Sequence, residues 1–331
     1  MKRPIIGVTM GDPAGIGPEI SLKAASNPEI LQISNPVIIG DYITLLRAAK
    51  YSKLAGLKIH PIKKIEDADV SRDVINVIDM ENVDATKLKT GQISKMCGKA
   101  AVEYVEKAID LAKQKKIAAI ATAPLNKEAM HRAGYKYAGH TEILAHHTKT
   151  KEYGMMFVAP KFWLILVSTH VAIKNISKNI SKRNVLRAIK LAHKTFITAA
   201  KKRPRIGVAG LNPHAGEHGI FGKEEIKSIV PAIKEAQKSG INAVGPISPD
   251  AVFNLANAGV YDIVVAMYHD QGLIPLKLLS FNESVNVTVG LPIIRTSVDH
   301  GTGFDIAGKG IANPKSLIQA IKVAASFARA R

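Results

Sequence analysis

Short, nearly continuous apolar runs recur along the chain with helical patterns between them, and this alternation limits the fold more than any other feature. Residues 117–122, 162–168, 205–210 and 262–267 have the composition of strands covered on both faces. Residues 5–10, 37–40 and 74–78 add further strand candidates. Between them, residues 95–114 place Ala101, Val105, Ala108 and Ala112 at helical spacing. From Ser181, Val185, Ile189, Ala192 and Phe196 do the same, with Lys182, Arg183, Arg187, Lys190 and Lys194 on the other faces. Asn313-Pro314 supplies a cap and a first-turn proline for a last helix running from Lys315 towards Arg331. Strands joined by crossover helices predict an α/β protein with a parallel sheet. The 331 residues fit two domains.

Composition excludes several classes. Hydrophobic residues make up 47% and charged residues 22% of the chain, so it can build a core and is not dominated by disorder. Cys97 is the single cysteine, which excludes a disulfide framework and a cysteine metal cluster and fits a reducing cytoplasm. The first residues run directly into a strand, and no signal peptide is expected. The longest uncharged apolar stretch, residues 162–173, contains His170 and falls well short of the ~20 residues of a membrane span. Lysine and arginine number 46 against 27 acidic residues, a net charge of +19. That excess raises nucleic-acid binding as a distant alternative. The basic residues are scattered, however, and aromatics form only 5% of the chain with no stacking platform among them. Solvated helix faces are the preferred reading, with neither nucleic acid nor membrane as a partner.

In open α/β sheets ligands bind beyond the carboxyl ends of the strands. Three of the predicted strands are followed there by a histidine: His170, His214 and His269. If these strands are neighbours, three neutral imidazoles hold one divalent ion with open positions, as in a catalytic metal site. If they are not, each histidine is an ordinary satisfied residue. His60, His131, His146, His147, His193 and His218 read as surface or helix-face residues. His214-Ala215-Gly216-Glu217-His218 also matches the H-x-x-E-H pattern of inverted zinc peptidases, which needs both histidines on one helical face. Pro213, Gly216 and Gly219 favour a loop instead.

Residues 11–17 order a strand, glycines and a helix start like a phosphate-binding turn, but no dinucleotide or P-loop fingerprint is complete. Gly139-His140-Thr141-Glu142 forms a second polar turn before a helix, and Asn286, Arg295 and residues 299–302 a third polar group. Lys277 and Arg295 are single cations in apolar segments, where a buried charge calls for an anionic partner or a route to solvent.

Gly11-Asp12-Pro13-Ala14-Gly15-Ile16-Gly17-Pro18-Glu19, Gly139-His140-Thr141-Glu142, residues 210–217, residues 266–273 and residues 294–302 together resemble, in sequence and in order, the 4-hydroxythreonine-4-phosphate dehydrogenase family of vitamin B6 biosynthesis. The resemblance implies an isocitrate and isopropylmalate dehydrogenase type of fold, two α/β/α domains with a cleft between them. We place these at residues 1–125 with 296–331, and at 126–295, the second carrying most metal and substrate residues. It implies a cytoplasmic homodimer with its site completed at the subunit interface. The implied cofactors are NAD, with NADP as the alternative, and one zinc, magnesium, cobalt or manganese ion held by His170, His214 and His269. The NAD-contacting residues are not identified. Substrate contacts carry over to His140, Thr141, Lys277, Asn286 and Arg295, with His140 and Lys277 as candidate acid/base groups and Asp250 and Asp270 as supporting groups. The implied reaction oxidises the C3 hydroxyl of 4-phosphooxy-L-threonine to a β-keto acid that loses CO2 to give 3-amino-2-oxopropyl phosphate. D-threonate or D-erythronate 4-phosphate, with a hydroxyl in place of the amine, is the alternative substrate. Residues 122–128 and Gly303-Phe304-Asp305 depart from some biosynthetic members.

Overall fold

Apolar runs that read as strands in the sequence are strands in the computed structural model, which describes residues 3–69, 71, 73–280 and 283–331. The chain divides into two units, Met1–Lys151 with Leu291–Arg329 and Glu152–Gly290 with Ala330–Arg331. The first begins with β1 (Ile5–Thr9), α1 (Gly17–Ala25), α2 (Pro28–Ile33), β2 (Asn35–Gly40), α3 (Tyr42–Tyr51), β3 (Lys58–Ile62), β4 (Val74–Asp79), α4 (Lys95–Lys113), β5 (Ala119–Thr122), α5 (Lys127–Arg132) and α6 (His140–His147). The second contains β6 (Gly154–Val158), β7 (Trp163–Leu166), α7 (Ile176–Asn179), α8 (Lys182–Ala200), β8 (Ile206–Ala209), α9 (Val230–Lys238), β9 (Ala243–Ile247), α10 (Pro249–Asn257), β10 (Ile263–Ala266), α11 (His269–Ser280) and β11 (Val285–Val289). The chain then returns to the first unit with β12 (Arg295–Ser297) and α12 (Lys315–Ala330).

Strands of the first unit lie in the order β3-β4-β2-β1-β5-β12, every pair parallel. The chain moves outward from β1 in one direction through β2 and in the other through β5, so a topological switch point lies between them. In the second unit the order is β11-β6-β7-β10-β8-β9. Here β11, β6 and β7 pair antiparallel, whereas β7, β10, β8 and β9 run parallel. The mixed pairing departs from a purely parallel expectation, because β6 and β11 have no short local turn to mark them as partners. All residues of β5, β8 and β10 are buried, which is why these strands are apolar without alternation. On α8, Val185, Ile189, Ala192 and Phe196 are buried while Lys182, Arg183, Lys190 and Lys194 are exposed, and Ser181 caps its N-terminus by accepting from Asn184 N–H.

The unit boundaries fall at Lys151/Glu152 and Gly290/Leu291, rather than after residue 125 and before residue 296. Packing explains the difference: α5 and α6 lie against α4, and β12 pairs with β5. His140, Thr141 and Arg295 therefore belong to the first unit, and His170, His214, His269, Lys277 and Asn286 to the second. Among the described residues no helix is long and apolar enough to cross a membrane.

Candidate active site

The order β7-β10-β8 makes the three histidine-bearing strands neighbours, all parallel. His170 follows β7, His214 lies on the turn after β8, and His269 opens α11 just after β10, so all three follow the carboxyl ends of parallel strands. The His170 and His269 rings stand 5.8 Å apart between centroids. His269 Nδ1 lies 2.6 Å from Asp270 Oδ1, and the His214 side is close enough to Asp250 to lower the pKa of that carboxyl, after the larger effects of Ser248 and its own backbone. Among the described residues no three metal-ligating side chains are gathered tightly enough to enclose an ion. The His170 and His269 rings are thus brought together, with His214 at the end of the neighbouring strand. The donor chemistry fits a divalent ion, since neutral ring nitrogens suit zinc, cobalt and related metals.

Polar side chains tie these strand ends to one another. Ser168 Oγ donates to Met267 O at 2.9 Å, linking the His170 loop to the end of β10. Buried Gln271 accepts from Met267 N–H at 2.6 Å and donates to Gly210 O at 2.7 Å, joining the ends of β10 and β8. Buried Glu225 accepts from Leu211 N–H and Asn212 N–H through Oε1, each at 2.8 Å, and from Asn212 Nδ2 through Oε2 at 2.9 Å. Glu224 accepts from the same Asn212 Nδ2 at 2.9 Å and from Ser177 Oγ at 2.5 Å.

Residues 214–218 do not form the right-handed helix that a zinc peptidase motif requires. His214, Ala215, Gly216, Glu217 and His218 have φ values of 51, 53, 82, 38 and 54°, a left-handed turn. Four of the five bear a Cβ, for which this region is costly. At Gly216, with φ +82°, a Cβ would sit 2.7 Å from Glu225 Oε2, so glycine suits both the left-handed backbone and the close approach.

In the first unit the register of β12 on β5 sets Arg295 opposite Ile120 and Ser297 opposite Thr122. The Arg295 side chain is buried, and its Nε and Nη2 donate to Thr122 Oγ1 at 3.2 and 2.8 Å. Burial pushes its pKa down to about 9, while the Glu142 carboxylate works the other way. The cation therefore persists at neutral pH in a place where water does not compensate it. His140, the first residue of α6, has a buried Nε2 without a hydrogen-bond partner. Burial, then the nearby charges of Arg295 and Lys127, hold its pKa well below the usual histidine value. A neutral imidazole beside a buried guanidinium is suited to binding an anionic oxygen and hydrogen-bonding its neighbour.

Thr141 lies half-buried in the same first turn of α6. Lys277 is half-buried on α11, eight positions after His269, or about 12 Å along a helix. Asn286 sits on β11 with its Oδ1 buried and unpartnered.

The glycine loop is not an open anion cradle. Residues 11–17 are buried, and the N–H groups of Asp12, Ala14, Gly15 and Ile16 donate to Pro124 O, Asp12 Oδ1, Asp12 O and Thr302 O. Gly11, at φ +73°, would bring a Cβ within 2.4 Å of Pro124 O. The loop's glycines serve close packing at the β1/β5 switch point. Desolvation raises the Asp12 pKa to about 6 despite hydrogen bonds from the Ala14 and Asn126 amides. Thr122, Glu142 and Gln271 lie inside segments that the sequence marks, but the sequence assigns them no individual role; Glu224 and Glu225 carry no signal.

Residues 32–324 match the family described as "PdxA: Pyridoxal phosphate biosynthetic protein PdxA". A protein of Oceanobacillus iheyensis named "Putative D-threonate 4-phosphate dehydrogenase" is 49% identical over 331 residues, 99% of this chain and 98% of its own length. A protein of Fusobacterium nucleatum with the same name is 46% identical over 323 residues, covering 98% of this chain and 97% of its own. The crystal structure of 4-hydroxythreonine-4-phosphate dehydrogenase from Klebsiella pneumoniae superposes with a TM-score of 0.92 at 43% identity, covering 98% of each chain. From its sequence, and from a fold shared along nearly its whole length, the chain belongs to the PdxA family.

Proposed function

We propose that this protein is a metal- and NAD-dependent dehydrogenase that oxidises the C3 hydroxyl of a 4-phosphorylated four-carbon acid to a β-keto acid, which then loses CO2. The observation that carries this reading is the placement of His170, His269 and His214 on three adjacent parallel strand ends. These three histidines would hold one divalent ion, which when bound would supply Lewis acidity towards the substrate hydroxyl. Arg295, desolvated and braced by Thr122, binds a phosphate or carboxylate of the substrate. His140, neutral at working pH, hydrogen-bonds the substrate and exchanges a proton through Nε2, with Thr141 beside it. Lys277 and Asn286 complete substrate binding, Lys277 as a second cation and acid/base group and Asn286 through its unpartnered carbonyl oxygen.

D-threonate 4-phosphate is the favoured substrate, because relatives named for it are 49% and 46% identical to this chain. 4-Phosphooxy-L-threonine is the second reading, favoured by the fold match to the Klebsiella enzyme at 43% identity. Its product would be 3-amino-2-oxopropyl phosphate, whereas the threonate gives a hydroxyketone phosphate. The enzyme works in the cytoplasm as a homodimer. Dimerisation is supported by α11, which begins at His269 and leaves Ile274, Leu278 and Leu279 exposed by 59, 83 and 46%. NADH formation with D-threonate, D-erythronate and L-threonine-type 4-phosphates in parallel tests the assignment: the highest kcat/KM is expected with D-threonate 4-phosphate. A clear preference for the amine would transfer the protein to the second reading, and failure on all three would refute both.

A further inference from the structure

We infer that Glu225 is a positioning residue for His214, holding the left-handed turn that presents this imidazole to the metal. The inference rests on the proposed metal site and adds to it the group that sets the third ligand's place. A run of five residues at positive φ, four with a Cβ, is not a conformation that the local sequence selects. Something outside the turn must over-determine it.

Glu225 is the group in position to do so. Its side chain is 3% exposed, and both oxygens are engaged. Oε1 gathers the two amides that lead into the turn, from Leu211 and Asn212, and Oε2 takes the Asn212 side chain. Oε2 also lies against Gly216 so closely that a Cβ there would be 2.7 Å away, so the carboxylate fills the turn's concave side as well as anchoring its entry. Glu225 itself begins a π-helical turn, Glu225–Ile229, ahead of α9, an irregularity often kept where it aims a side chain at a site. Glu224, one residue earlier, reaches Ser177 on α7 and Asn212 together, so its carboxylate fixes the segment after His170 to the segment before His214 that Glu225 also holds. Nothing in this cluster touches the ring nitrogens of His214. Glu225 acts on the metal site only through the backbone that carries the ligand.

Calorimetric titration of the full-length apoprotein with manganese alone, then with zinc alone, tests this without reference to turnover. Wild type is compared with His214→Ala, Glu225→Ala, Glu225→Gln and the double variant Glu225→Ala/Ala215→Gly, with near-UV circular dichroism verifying the fold. Glu225→Ala is expected to weaken metal binding about 10- to 100-fold, the range for groups that orient ligands from outside the coordination sphere. Glu225→Gln keeps one oxygen for the two amides but turns an amide towards Asn212, and is expected to weaken binding at least about threefold. Glycine at 215 adopts the left-handed conformation without a Cβ penalty, so it should restore at least about threefold of the loss. As a control, Ile233→Val in α9 lowers stability and leaves metal affinity unchanged.

Wild-type affinity, within about twofold, in the folded Glu225 variants would overturn this inference while leaving the metal site standing, provided His214→Ala loses binding. If Glu225→Ala does not fold, Glu225→Gln decides by the same criterion. Failure of Ala215→Gly to restore any binding would also overturn it. No metal binding by wild type would overturn the inference and the proposed metal site together.

Discussion

Arg295 shows how burial and charge oppose each other within one side chain. Its guanidinium is desolvated enough for its pKa to fall to about 9, yet it stays protonated at neutral pH and donates through Nε and Nη2 to Thr122 Oγ1. Replacing Arg295 with Met is expected to raise the KM for the phosphorylated substrate at least about 100-fold and leave the KM for NAD within about twofold, by steady-state kinetics. Thr122→Ala removes the brace and should cost about 1–2 kcal/mol in denaturant unfolding. Asp12 makes a second test by pH. Its folded pKa, about 6, lies above the ordinary 3.8, so the folded state binds this proton more tightly than the unfolded chain does. The group's contribution is therefore most favourable below about pH 4, declines as the pH rises towards 6 and is flat above it. Unfolding of wild type and Asp12→Asn at about pH 4 and pH 7.5 should show the difference shifting by about 2 kcal/mol in favour of the variant at the higher pH. A constant difference would show that the carboxyl is not strained by burial.

Among the elements, α8 displays the link from sequence to stability most directly. Its buried stripe and its cap both stand in the sequence, and Ser181→Ala should destabilise the protein by about 1 kcal/mol in chemical denaturation. Strands β5, β7, β8 and β10 were legible for a related reason, since burial on both faces removes alternation and leaves an apolar run. The histidines that follow three of them were legible too, but their adjacency depends on β10 inserting between β7 and β8, a long-range pairing no local pattern encodes. Helix α11 was hidden by Gly272 and Pro275, which read as breakers although packing carries the helix through them. Glu225 was hidden in the opposite way: in Gly222-Lys223-Glu224-Glu225 it looks like a solvated helix start, and only the fold buries it under the left-handed turn. The unit boundaries were hidden because no linker composition marks them, and the packing of α5 and α6 on α4 decides them.

At the scale of the whole molecule, the net charge of +19 gives less information about partners than its size suggests. On α8 the lysines and Arg183 line the exposed face, whereas Arg295, proposed to bind the anionic substrate, is buried. The exposed leucines and isoleucine of α11 are the surface on which the proposed homodimer would form. Leu278→Glu with Ile274→Glu is expected to shift the sedimentation coefficient from dimer to monomer, and an unchanged coefficient would remove α11 from the interface. The histidines after β7, β8 and β10 are proposed to serve a divalent metal in oxidising a phosphorylated hydroxy acid, and NADH formation from NAD and D-threonate 4-phosphate, followed before chelation, after exhaustive chelation and after return of a divalent ion, decides whether they do. Activity should disappear on chelation and return with the ion in wild type but not in His214→Ala, whereas full activity in the chelated enzyme would refute the metal's role.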